Sequence, residues 1–273
     1  MRIALVYLLL LTHVISVWPG IIEHTKRCTV PSMGKTIFMF GEEHTDPFDP
    51  AACAQREQLA WSIDAIGDMH AGPVSCYLEC DINVQKGLQE SPYFYLRNMC
   101  DHGAYFEQWY VPLSRAYGHE VSIGRLAVSN FDIRDDHYAH FENTLHALAD
   151  GALTHDTVDF RALRTWADTV DETVQRLFED IRLQYPKKMV SYINRDMKRK
   201  KKQFYAMIDK QIQSQKRARY THRALNQFYN YTDLLADFTI LNKIASDPRD
   251  AIIINAGSSH TENLSRYFNA NSI

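Results

Sequence analysis

Compact apolar runs recur along the chain, and two of them end in the same polar signature. Ile37-Phe38-Met39-Phe40 runs into Gly41-Glu42-Glu43-His44, and Ala251-Ile252-Ile253-Ile254 leads into Gly257-Ser258-Ser259-His260. A short β-branched or aromatic run closed by glycine predicts a buried strand, with the histidine about one turn further on. Strands are predicted over residues 36–40, 75–81, 128–133 and 251–255, with a shorter one near 121–123. Ala54, Leu59, Ala60, Ile63 and Ile66 share one face of a helix that starts at Asp49 or Pro50, and another helix over 261–268 closes the chain. The middle is helical throughout. Trp166, Val170, Val174, Leu177, Phe178 and Ile181 keep helical spacing as far as Tyr185-Pro186, Tyr192, Ile193 and Met197 continue it, and Phe228, Leu234, Leu235, Phe238, Leu241 and Ile244 carry it to Asp247-Pro248.

This order predicts an α/β fold: a mixed or mostly parallel central sheet flanked by helices, with a large helical insertion at about 157–246 before the last strand. At 273 residues, residues 21–273 form a single α/β domain in this reading, and residues 1–20 stand apart. A basic start, an apolar run from Ile3 to Trp18 and a helix-breaking Pro19-Gly20 fit a secretory signal peptide, or an anchor if it is not cleaved. The expected location is therefore the secretory pathway, outside the cell, or a membrane. Hydrophobic content of 45% with 23% charged residues excludes wholesale disorder, and a net charge of −3 does not single out nucleic acid.

Five cysteines, Cys28, Cys53, Cys76, Cys80 and Cys100, leave at least one thiol unpaired within the chain. Cys76 and Cys80 on one strand would stand ~13 Å apart, beyond the reach of a disulfide, which needs Cα atoms within roughly 7 Å. The sequons Asn230-Tyr231-Thr232 and Asn263-Leu264-Ser265 matter only on a secretory route.

The chemistry gathers where strands end. Alternation places Tyr77, Glu79 and Asp81 on one face of their strand. Glu42, Glu43, His44 and Asp46 follow the first predicted strand, Asp132 and Arg134 close the third, and His260 with Glu262 follows the last. In a parallel sheet these all reach the carboxyl edge, where open α/β sheets bind ligands. Imidazole and carboxylate suit a divalent transition metal such as Zn, Mn or Co. Without metal, His44 can act as a general base held by a carboxylate, with Glu43, Asp132 and Arg134 in support.

The Gly41-Glu42-Glu43-His44-Thr45-Asp46-Pro47 run, Gln58, Glu79 and Gly257-Ser258-Ser259-His260 together resemble the TIKI/TraB superfamily, which includes ChaN-like haem-iron-binding proteins and erythromycin esterases. The resemblance lies in the strand segments at both ends; the helical insertion adds nothing to it. It implies a hydrolase of a peptide or ester bond, metal-assisted, with His44, Glu79, His260 and Glu42 as catalytic residues and His44, Glu79 and His260 as the metal ligands. A peptide or small molecule is then the substrate. The ChaN branch implies instead haem binding without turnover, for which Tyr77 would line the pocket. A third reading is a silent interaction protein. The basic segments Lys198–Lys202 and Lys216-Arg217-Ala218-Arg219 read as a solvated helical face. No nucleic acid is expected as a partner, and membrane contact is confined to the N-terminal segment or that basic helix.

Overall fold

The structure is a computed structural model, and it describes residues 22–42, 62, 65–79, 120–123, 125–131, 144, 147, 159–213 and 222–270. The fold is α/β, with a mixed, mostly parallel sheet flanked by helices. Its strands are β1 (Ile22–Val30), β2 (Lys35–Glu42), β3 (Val74–Leu78), β4 (Val121–Ile123), β5 (Leu126–Asn130) and β6 (Ala251–Gly257). Across the sheet they lie in the order β1-β2-β6-β3-β5-β4. The pairs β2–β6, β6–β3 and β3–β5 are parallel, and β1 and β4 add antiparallel edges.

The last strand therefore enters the middle of the sheet. Ile252, Ile253 and Ile254 are fully buried. A parallel strand covered on both faces reads as a continuous apolar run, because both sets of alternate side chains must leave water. Burying one isoleucine contributes about 1.5–3 kcal/mol. On one face Phe40, Ile66, Val74, Cys76, Leu126, Val128, Ala251 and Ile253 form a core. Ile66 belongs to the helical residues 65–69, where Gly67 comes so close to β5 that an added Cβ would stand 3.2 Å from Leu126 Cδ2.

One strand was not predicted. β1 precedes the expected first strand and pairs with β2 from Val30↔Lys35 to Ile22↔Glu42, with a register shift between Ile22 and His24. Its sequence, Ile-Glu-His-Thr-Lys-Arg-Cys-Thr-Val, is mostly polar and charged. An edge strand needs no continuous apolar run, and its charges oppose pairing with another chain. Pro31–Met33 forms a single 3-10 turn, and Gly34 turns the hairpin at φ 67°, its N–H donating to Pro31 O. The other predicted strands are present with shifted ends: β3 stops at Leu78 rather than 81, and β5 covers 126–130 rather than 128–133.

The described residues fall into two compact units. One holds the six strands and the last helix as far as Ser265; the other holds the three long helices and the remainder of that last helix. In the second, α1 (Phe160–Gln184), α2 (Lys187–Gln213) and α3 (His222–Ser246) occupy the stretch read as an insertion. The Asp159 carboxylate caps α1 by accepting from the N–H groups of Arg161 and Ala162 at 2.9 and 3.1 Å. Tyr185 ends it, and its buried hydroxyl donates to Leu241 O at 2.7 Å. Every residue of α3 from Leu234 to Leu241 is buried, so this helix is covered all round. Asp171 of α1 ties the three helices together, accepting from Tyr231 of α3 and pairing with Lys201 of α2. Among the described residues no helix is long and apolar enough to cross a membrane.

Candidate functional site

Because β2, β6, β3 and β5 run parallel, their carboxyl ends share one edge of the sheet. The β2–β6 register sets Gly41 opposite Ala256 and Glu42 opposite Gly257. The two strand-glycine units that stand far apart in sequence are thus hydrogen-bonded neighbours. After Gly257 the chain turns directly into α4 (Ser258–Asn269), which carries His260 in its first turn.

Glu79 comes from the opposite side of β6. Its N–H donates to Asn255 O at 2.9 Å, which carries the β3–β6 pairing one residue past Leu78. Its side chain lies on the face of Ser75 and Tyr77, opposite Cys76. Glu79 Oε2 accepts the backbone N–H of Gly257 at 2.6 Å. The other oxygen, Oε1, stands 3.3 Å from His260 Nε2, and the two side chains retain only 8% and 3% of their exposure. Away from water such a pair interacts more strongly than at the surface. A carboxylate bound by the N–H that leads into a helix also gains from the helix dipole. Thr261 stays within the first turn of α4, its hydroxyl donating to Ser258 O at 3.1 Å.

Of the candidate residues, Glu79 and His260 are brought into contact. Glu42 ends β2 level with Gly257. Tyr77 lies in β3, 5% exposed, two residues before Glu79 on the same face. Glu43, His44, Asp132 and Arg134 lie outside the described residues, as do Asp46, Asp81 and Gln58. Among the described residues no group of three or more His, Cys, Asp or Glu side chains is placed to hold a metal ion.

The sequence reading did not foresee Gly257 as the residue that holds Glu79. The signal was present in the glycine at the strand-to-helix turn, whose exposed N–H suits an anion. A second polar cluster, at the amino edge of the sheet, was also missed. There Arg249 forks onto Glu120, donates to Ser75 Oγ at 2.8 Å, and offers its carbonyl to the buried Lys35 Nζ at 3.0 Å. This cluster ties the segment before β6 to its neighbours, a structural task.

No family model, curated protein or solved structure matches this chain.

Proposed function

We propose that the chain is a hydrolase of the TIKI/erythromycin-esterase kind, cleaving a peptide or ester bond at the carboxyl edge of its sheet. The observation that carries this reading is the buried Glu79–His260 pair, delivered by two neighbouring parallel strands and anchored by the Gly257 N–H. A carboxylate that accepts the N–H of one imidazole nitrogen sets the tautomer and direction of the ring, the preparation a general base or ligand histidine requires. Glu42 ends the adjacent strand in register with Gly257.

The donor set fits a divalent transition metal in kind, since carboxylate oxygen and imidazole nitrogen are both ligands for zinc, manganese and cobalt. To hold an ion, His260 Nε2 would have to give up the proton it shares with Glu79 Oε1, 3.3 Å away. His44, Glu79 and His260 would hold the ion, which when bound lowers the pKa of water and polarises a carbonyl. The residues themselves supply the rest. Gly257 fixes the carboxylate, Glu79 aligns His260, and the burial of the pair limits competing water.

The test is metal content by mass spectrometry of the purified full chain beside Glu79→Gln, His260→Ala and His44→Ala, followed by peptide and ester panels. Stoichiometric metal and turnover in the parent, both lost in the folded variants, is the expected result. Full turnover of a substrate by the Glu79→Gln variant would sink the assignment.

A further inference from the structure

Charge in this chain is strongly segregated. Helix α2 carries seven lysines and two arginines against two aspartates, a net of +7, in a chain whose formal charge is −3, so all other residues together carry −10. Within α2 the basic side chains are not scattered. Lys188, Arg195, Lys198, Arg199 and Lys202 are all exposed. At 3.6 residues per turn they fall within an arc of about 100°, along about 21 Å of helix. From Lys188 to Ala206 the other exposed positions on that arc are Ser191 and Ala206; the acidic residue on it, Asp209, lies beyond Lys202 and is paired with Arg164 of α1. Asp196 sits off the stripe, pairing with Arg199 at 2.6 Å and with the buried Lys200 at 3.3 Å. No proline or glycine breaks the helix.

We infer that this stripe is a docking face for an anionic lipid surface. A single uninterrupted helix with five of its nine basic residues exposed in one arc presents a line of ammonium and guanidinium groups to a plane. Each such group near an anionic membrane contributes independently to binding, and short-range screening confines the effect to those that touch. A nucleic acid strand would be held differently, by aromatic platforms between the charges. The aromatic residues of α2 are committed inside the helical unit: Phe204 is buried, Tyr205 donates to Asp168, and the Tyr192 ring packs edge-on to Tyr267. A long polyanion wrapping the protein would also meet the −10 carried elsewhere, whereas a plane meets only the face turned towards it.

The experiment is an amine-labelling footprint of the full chain on vesicles of phosphatidylcholine alone or with about one third phosphatidylserine. Acetylation of Lys188, Lys198 and Lys202 should slow several-fold on the anionic vesicles and recover at about 0.5 M salt, while Lys26 in β1 keeps its rate. Neutralising the three as Lys188→Gln, Lys198→Gln and Lys202→Gln should lower the preference for anionic vesicles on the order of 100-fold, about fivefold per charge. The same change in net charge made on α1, with Arg161→Gln, Arg176→Gln and Arg182→Gln, should cost no more than a few-fold. Equal labelling on both vesicle types would overturn the inference. So would equal losses in the two triple variants, or protection of these lysines by RNA but not by anionic vesicles.

Discussion

Replacing Glu79 separates the contacts at the sheet edge by chemistry. Glu79→Ala removes the acceptor of the Gly257 N–H and the partner of His260 Nε2 together. A hydrogen bond to a charged group contributes about 1.5–3 kcal/mol, and a buried donor left without a partner costs a further 1–3 kcal/mol. A local loss of about 3 kcal/mol is therefore expected at the turn from β6 into α4. Glu79→Gln keeps an acceptor for Gly257 and turns an amide N–H towards the imidazole, which can answer by carrying its proton on Nδ1 instead. That variant should lose only about 1 kcal/mol, the exchange of a charged acceptor for a neutral one. The assay is hydrogen–deuterium exchange read across residues 255–262, because a local readout does not require the whole chain to unfold in one step. At 1.36 kcal/mol per factor of ten, exchange should quicken by on the order of 100-fold in Glu79→Ala and about fivefold in Glu79→Gln. Adding His260→Ala to each should shrink the gap between them, since the two side chains couple directly. Equal exchange in the Ala and Gln variants would refute the reasoning, for it would mean that the carboxylate does not hold the turn.

Two further outcomes concern the helical unit. Burial pushes the phenols of Tyr185, Tyr231 and Tyr267 above the ordinary tyrosine value of 10.0, with Asp171 adding to the effect at Tyr231 and Asp237 and Asp196 at Tyr267. A folded pKa above the unfolded one means stability present below pH 10 and lost as the pH rises past it. Titration from about pH 9 to about pH 12 should show these phenols ionising only together with loss of helical circular dichroism; phenolate at all three in an intact helical unit would contradict this. At the start of α1, Asp159→Ala should lower stability by about 1 kcal/mol, while Asp159→Ser, which can still cap, should lose less than half of that. Equal thermal melts for the parent and the alanine variant would show that the cap contributes nothing.

The parts of the fold legible in the sequence were those where burial leaves a one-dimensional trace. β6 is covered on both faces and reads as a solid apolar run; α1 buries one face and repeats Trp166, Val170, Val174 and Phe178 at helical spacing. α3 was legible as a helix but not as a central one. Its polar positions Thr232, Asp237 and Thr239 are buried, and the hydroxyls of Thr232 and Thr239 satisfy themselves on carbonyls one turn back, Phe228 O and Leu235 O. Polarity in the sequence therefore did not mark a solvent face. β1 left no trace, because the partnership that makes it a strand is made by the backbone of β2 and not by its own side chains.

For the site the same distinction holds. Residue type and strand-end position singled out Glu79 and His260, since a carboxylate and an imidazole closing apolar runs are conspicuous before any pairing is known. Their contact, however, depends on strand order. β6 is the last strand in sequence and lies between β2 and β3, and only that insertion lets one turn receive a carboxylate from β3 while standing level with the end of β2. Had β6 been added at an edge, it would have had a single neighbour and the Gly257 N–H a single side from which to draw a partner. The repeated glycine-x-x-histidine pattern thus names the ingredients, and the crossover into the centre of the sheet makes them a site. Glu79→Ala bears on this arrangement directly, because the same carboxylate that would orient His260 for chemistry also fastens the central strand's turn. Stability at that turn and competence at the site should therefore fall together in Glu79→Ala and separate in Glu79→Gln.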